Sequence, residues 1–272
     1  MKVAVTGASG FIGRHVMAEL SRHDVEVVAV AGPRHGESRP SATGRWIPLD
    51  ISAPPADCFA ALGRPDAVIH LAWAGLPNYR SLHHFETELP IQYNFLGNLV
   101  RHGLESLLAV GTCFEYGLQS GPLAASMETR PANPYGFAKD VLRRQLQFLQ
   151  TQRPFRLTWA RLFYLYGDGQ SEASLLSQLR QAVAAGLPEF DMSGGEQLRD
   201  YLPVTAVAEQ LVQLALRPLG AGVVNVCSGE PISVRRLAES WVNDNDWKIK
   251  LNFGRRPYPD YEPMAFWGVR SE

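Results

Sequence analysis

Cysteine is scarce in this chain of 272 residues, which holds only Cys58, Cys113 and Cys227. An odd count at wide spacing excludes a disulfide framework and matches no zinc-ligand pattern. A reducing compartment is the reading that follows. Charge of one sign is lacking as well. The 26 basic and 27 acidic residues leave a net charge of −1, which removes the usual electrostatic case for nucleic acid or an anionic membrane as the main partner. No apolar run nears the ~20 residues of a membrane span. The opening Met-Lys-Val-Ala-Val-Thr-Gly has no long apolar stretch and does not read as a signal peptide. The expectation is a cytoplasmic protein with no membrane, nucleic-acid or metal partner. Repeats and low-complexity tracts are absent too. Lysine is limited to Lys2, Lys139, Lys248 and Lys250, so the placing of each one carries information.

What is present is enough apolar residue to build a core: 46% of the chain, against 19% charged. The first half alternates short β-branched runs with amphipathic stretches, the mark of βαβ units and a parallel sheet. Strands are predicted at Lys2–Thr6, Val25–Ala31, Trp46–Leu49, Ala67–Ala72, Ser106–Gly111 and Phe155–Arg161. Helices are predicted at Phe11–Arg22, Leu82–His102 and Tyr135–Leu149, with Pro90 as a start or a kink. Beyond residue 162 the rhythm weakens. Helices recur at Ser174–Ala185, Val204–Arg217 and Val234–Trp241, with a strand at Val223–Val226. The expected fold is α/β: a doubly wound parallel sheet of residues 1–162 plus about 204–226, carrying a smaller discontinuous lobe of about 163–203 plus 227–272.

Gly7-Ala8-Ser9-Gly10-Phe11-Ile12-Gly13 follows the first strand and opens the first helix. Glycines at this spacing permit a tight turn, close approach of a pyrophosphate and close helix–strand packing. The helix N-terminus then offers backbone N–H groups to the phosphates. The segment reads as a dinucleotide-binding turn of the Rossmann type, the other reading being a glycine-rich turn with no ligand. An acidic residue at the end of the second strand would bind the ribose 2′-hydroxyl and select NAD. Here that strand ends Val30-Ala31-Gly32-Pro33-Arg34-His35. Arg34, with Arg39 nearby, suits a 2′-phosphate, so NADP(H) is favoured over NAD(H), the other reading being a solvated loop arginine. Asp50, after the third strand, is placed either to meet the adenine edge or to cap a turn.

Tyr135 and Lys139 stand four apart on a predicted helix, hence on one face. A phenol is a poor acid or base at neutral pH; a neighbouring ammonium is expected to lower its pKa and make it a usable proton carrier beside a carbonyl. Lys139 can also hold the nicotinamide ribose. Thr112, at the carboxyl end of a strand, can orient the reacting oxygen. Trp73 and Tyr79, in the loop after the fourth strand, either flank a sugar ring or pack the lobe. His83 and His84 are adjacent on a helix and point apart, which reads as a solvated face. Residues 257–263, rich in proline and tyrosine, read as a loop that wraps the lobe.

The glycine turn, the strand end His70-Leu71-Ala72, Thr112 followed by Tyr116-Gly117, and Tyr135 with Lys139 resemble the extended short-chain dehydrogenase/reductases. More narrowly the chain resembles the NAD-dependent epimerase/dehydratase group that acts on nucleotide sugars. Arg161…Tyr166-Gly167, Gly194–Tyr201 and Asn225…Gly229 match further family segments. The resemblance implies Thr112, Tyr135 and Lys139 as catalytic residues. It implies Gly7, Gly10, Phe11, Ile12, Gly13, Arg34, Asp50, Leu71, Ala72 and Lys139 around the cofactor. Trp73, Thr112, Tyr164 and Arg199 would face substrate, with Arg199 on the diphosphate. Asn94 would be the buried helix asparagine that supports the lysine through water. The other readings are an internal salt bridge with a nearby carboxylate for Arg199 and a helix-surface amide for Asn94. The two long helices resemble those that pair subunits in the family, implying a homodimer.

Departures from the family narrow the reaction. Cys113 and Phe114 stand where dehydratases carry Asp-Glu, which disfavours elimination of water. Cys113 is one place away from the cysteine of the 3,5-epimerase-reductases and reads as a small buried apolar residue. Tyr164 replaces a substrate-binding asparagine and implies an altered sugar pocket. What remains is hydride chemistry at one carbon: a reductase of a nucleotide-diphospho-4-keto-6-deoxysugar, or a 4-epimerase that retains NAD. A catalytically silent dinucleotide-binding protein is the further alternative.

Overall fold

The β-branched runs of the first half form one parallel sheet in a computed structural model, which describes residues 1–32 and 44–270. In chain order the first half builds β1 (Lys2–Thr6), α1 (Phe11–Leu20), β2 (Glu26–Ala31), β3 (Arg45–Pro48), α2 (Cys58–Ala61), β4 (Ala67–His70), α3 (Leu89–Arg101), β5 (Ser106–Thr112), β6 (Gly121–Leu123), α4 (Pro134–Gln152) and β7 (Arg156–Leu162). The second half adds β8 (Tyr164–Tyr166), α5 (Leu175–Ala184), β9 (Glu189–Asp191), β10 (Leu198–Arg199), β11 (Tyr201–Pro203), α6 (Val204–Leu216), β12 (Gly222–Val226), β13 (Ile232–Ser233), α7 (Val234–Asp244), β14 (Lys250–Asn252) and β15 (Phe266–Gly268).

Seven strands lie in the order β12-β7-β5-β4-β1-β2-β3, and every pairing is parallel. Such strands are buried on both faces; β2, Glu-Val-Val-Ala-Val-Ala, is exposed only at its glutamate. On one face Val16, Met17 and Leu20 of α1 meet Val207, Leu211 and Val212 of α6. On the other, Phe95, Leu96 and Leu99 of α3 pack with Leu142 and Leu146 of α4 and with Trp159. The strand order reverses between β1 and β4. That reversal opens a crevice outside the carboxyl ends of the strands, where open parallel sheets take their ligands.

Two differences from the sequence reading have clear causes. The segment after Leu82 enters through one π-helical turn, His84–Glu88, and becomes α-helical only at Leu89. Pro90 has no N–H to donate and is tolerated in a first turn. Four two-stranded pairings, β6 with β15, β8 with β11, β9 with β14 and β10 with β13, arise in segments that read as loop. Strands of two or three residues show no period. The second cluster of side chains, around Leu179, Phe190, Leu237 and Trp241, belongs to α5, β9 and α7. Among the described residues no helix is long and apolar enough to cross a membrane.

Candidate active site

The turn after β1 leaves no room for a side chain. Gly7 has φ of +68°, and a Cβ there would lie 2.9 Å from the Ala72 amide nitrogen. A Cβ on Gly13 would sit 2.1 Å from the Gly7 carbonyl oxygen. Backbone thus meets backbone, with Leu71 N–H donating to Thr6 O at 3.2 Å. Gly10 caps α1 without a side-chain acceptor, so the first-turn amides of Phe11, Ile12 and Gly13 have no intrahelical partner. This cradle fits the pyrophosphate of a dinucleotide. The Asp50 carboxylate accepts from Ser52 N–H and Ser52 Oγ at 2.9 and 2.6 Å, a turn interaction. Arg34 and Arg39 lie outside the described residues.

The far wall of the crevice begins at Asn133, whose side chain accepts from Gly136 N–H at 2.8 Å and starts α4. One turn on, Tyr135 and Lys139 share a face, both buried. Lys139 Nζ donates to Val110 O at 2.9 Å and stands 3.9 Å from the centroid of the Trp73 ring. Thr112 ends β5 and is tied by a reciprocal capping box to Glu115, and it favours the charged form of the Tyr135 phenol. Thr112, Tyr135 and Lys139 therefore converge at the carboxyl edge of the sheet.

The electrostatics differ from the sequence expectation. Burial pushes the Tyr135 phenol up rather than down; Tyr79, Glu115 and Cys113 push the same way and only Thr112 opposes. The Lys139 amine is itself pushed down to about 7 by burial, with Glu115 and Glu88 opposing. It lies 6.0 Å from the phenol ring, so a partly neutral amine cannot overcome the desolvation of a wholly buried phenol.

Beside these residues opens a cleft of about 690 Å³, whose walls include Tyr79, Asn133, Tyr164, Tyr201 and Trp241. Its remaining wall is the tail, which does more than wrap the lobe: Asp260, Tyr261 and Glu262 line the cleft. Asp260 pairs with Arg80, and Glu262 accepts from the Tyr164 hydroxyl.

Four residues have surroundings that bear on the sequence reading, and for Asn94 and His84 they correct it. Arg199, 2% exposed, is paired with Glu262 at 3.4 Å, donates to the carbonyls of Leu198 and Met264, and lies over the Phe266 ring. Its charge is answered inside the fold by Glu262 and these carbonyls. Trp73 covers Lys139, its ring centroid 3.9 Å from Nζ. Asn94 is exposed on α3. The buried amide of that helix is Gln92, which bridges His70 Nε2 at 2.7 Å and Glu88 Oε2 at 2.9 Å. His84 is wholly buried, not solvated, because the π-helical turn aims it inward. The links of Gln92 to His70, His84 to Trp73, Glu88 to Ala74 and Glu262 to Arg199 carried no local signal, since their partners are not neighbours in the chain. Cys113 is buried, its thiol pushed up by burial.

A family model described as "NAD dependent epimerase/dehydratase family" matches residues 3–227. A dTDP-6-deoxy-L-talose 4-dehydrogenase (NAD(+)) from Aggregatibacter actinomycetemcomitans is 30% identical, covering 99% of this chain and 100% of its own. A UDP-glucose 4-epimerase from Azospirillum brasilense is 28% identical over 94% of this chain and 81% of its own. Among solved structures, MoeE5 in complex with UDP-glucuronic acid and NAD superposes with a TM-score of 0.83 at 25% identity, covering 99% of this chain and 90% of that one. The glycine cradle, the parallel sheet and these likenesses together make the chain a member of the NAD-dependent epimerase/dehydratase family of extended short-chain dehydrogenases/reductases.

Proposed function

We propose that the protein moves a hydride at C4 of a nucleotide-diphospho-6-deoxyhexose, as a reductase of the 4-keto sugar, with Tyr135 as the acid. The observation that carries this reading is the Tyr135 phenol, buried on the face of α4 that it shares with Lys139 and kept protonated by that burial. A group held as an acid suits the reductive direction, in which a proton must reach the new alkoxide. The chemistry a bound dinucleotide supplies is hydride transfer at one carbon. Gly7, Gly10 and Gly13, the amides of Phe11 and Ile12, and the Leu71-Ala72 backbone hold it; Lys139 meets its ribose. Thr112 orients the substrate oxygen, Tyr135 delivers the proton to it, and Tyr164 shapes the sugar pocket. Arg34 and the missing acid after β2 favour NADP over NAD. The sheet portion takes the dinucleotide and the lobe takes the nucleotide sugar.

The likeness to a UDP-glucose 4-epimerase favours a second reading, in which hydride is removed and returned. Absorbance of NADPH, or of NADH, with a dTDP-, GDP- or CDP-4-keto-6-deoxysugar tests the two. Loss of absorbance on adding the keto sugar is the expected result. Isomerisation of a nucleotide sugar with no net change in cofactor establishes the epimerase instead. A silent binding protein would give neither. We further propose a cytoplasmic homodimer, supported by Leu82, Phe137 and Phe148, large apolar side chains left exposed at the start of the π-helical segment and along α4.

A further inference from the structure

We propose that Trp73 is a positioning residue for the Tyr135–Lys139 pair, pinned in place by His84 and Glu88 of the π-helical turn. The inference rests on the reading above for its reaction, but its geometry stands apart from that reading. The Lys139 amine is buried, and Val110 O is its one hydrogen-bond acceptor among the described residues. The face of the Trp73 ring, 3.9 Å away, supplies its other attraction, of the kind an ammonium finds over indole. The same ring meets Tyr135 edge-on, with centroids 6.0 Å apart and planes at 73°. One side chain therefore touches both members of the pair.

The indole is not free to turn. Its N–H donates to His84 Nδ1 at 3.0 Å, and His84 Nε2 bonds Asn78 O at 2.8 Å. One imidazole nitrogen accepts and the other donates, which determines a single neutral tautomer. Burial holds this histidine below its usual range and keeps it neutral. The next amide, Ala74 N–H, donates to Glu88 Oε2 at 3.1 Å, where Gln92 also donates. Gln92 then reaches His70 at 2.7 Å, and His70 reaches Thr6 Oγ1 at 2.8 Å. Both Trp73 and its following peptide are thus fixed by one helical turn, and that turn is anchored through buried side chains to β1. Irregular π turns recur at functional sites; here the turn places residues 84 and 88 on the loop that carries Trp73. This support differs from the buried asparagine that the family resemblance implied, since Asn94 is exposed.

The groups facing Lys139 are the phenol of Tyr135 on its own helix, Glu115 from the turn after β5, Glu88 from the π-helical turn, and neutral His70 and His84. Glu115 is already committed to Arg161 at 2.8 Å. Glu88 has only His83, at 3.4 Å, as an ion-pair partner among the described residues.

Having only four lysines makes the test direct. In protein labelled with ¹³C at lysine Cε, the ring current of Trp73 moves one methylene signal upfield, and Lys139→Arg identifies it. His84→Leu keeps the indole but removes its acceptor. The expected result is that this signal shifts toward the other three. In the same variant kcat falls about tenfold or more while KM for sugar and dinucleotide stays within about twofold. His84→Gln, which keeps an acceptor, restores both. Trp73→Phe, which keeps an aromatic face, covers the case in which His84→Leu fails to fold; it should retain part of the shift and lower kcat less than Trp73→Leu. An unmoved signal with unchanged kcat in His84→Leu overturns the proposal. So does tighter dinucleotide binding with intact kcat in Trp73→Leu, which would make the ring an occupant displaced by cofactor. Because the lysine signals need no substrate, a wild-type protein inert toward keto sugars would overturn the proposed function alone.

Discussion

Tyr135 carries two opposed demands: a proton carrier must be able to give up its proton, and a buried phenol resists doing so. In this protein the resistance dominates. Tyr135→Phe, which removes only the oxygen, is therefore expected to lower kcat by about 10²–10⁴-fold with the fold intact; steady-state turnover beside a thermal melt checks it. Lys139 makes the complementary point through stability. Its folded value is pushed down to about 7, against ~10.4 for an unfolded lysine. Between those values the unfolded chain holds a proton that the native state lacks, so stability rises with pH across the window and is poorest below it. Lys139→Met is expected to raise Tm clearly at pH 6 and by much less at pH 10. An equal gain at both, measured by calorimetry, contradicts the assignment. The spacing of these two residues was legible in the sequence. The direction of their shifts was not, because desolvation depends on what the fold places around them.

At the scale of the element, the start of α4 joins stability to chemistry. Asn133 satisfies the Gly136 amide, and the first turn it caps carries Tyr135. Asn133→Ala is expected to cost about 1 kcal/mol, or about 2–4 °C in Tm, and to lower kcat as well. The glycine turn is sterically closed. Gly13→Ala would force a methyl to within 2.1 Å of the Gly7 carbonyl; dinucleotide affinity, read by fluorescence titration, should fall along with stability by about 1–3 kcal/mol. The glycine turn announced itself by its glycines between strand and helix, and α4 by the helical run from Tyr135; the cap at Asn133 came only with the structure. Nothing announced the π-helical turn. Its sequence, His-Phe-Glu-Thr-Glu, has ordinary helical composition, and only packing against the loop after β4 selects the wider turn.

At the scale of the whole molecule, the chain closes on itself through its tail. Glu262 crosses from the C-terminal segment to the buried Arg199 and to Tyr164, while β15 pairs with β6. Glu262→Ala leaves a buried guanidinium without its carboxylate, a loss of about 3–5 kcal/mol, which urea unfolding at neutral pH would register. A smaller loss, near that of an exposed pair, would mean that Arg199 finds another partner. The exposed Phe137 and Phe148, 48% and 74% accessible, define the other whole-molecule prediction. If these side chains pair two subunits as proposed, sedimentation equilibrium is expected to give a dimer for the unaltered chain and a monomer for Phe137→Asp with Phe148→Asp.

The sequence by itself determined the parallel sheet, the glycine cradle at the end of β1 and the Tyr135–Lys139 face of α4. These depend on local pattern: short β-branched apolar runs, residues four apart on one helical face, and glycine where no Cβ fits. Only the tertiary structure decided which buried group answers which. It paired Arg199 with Glu262, set Gln92 and Glu88 behind the site in place of Asn94, and laid Trp73 over Lys139. Those pairings join residues from 4 to 66 positions apart. Their reason is a balance no window of sequence contains: a buried charge or polar atom must be met by whatever partner the folded chain brings within reach.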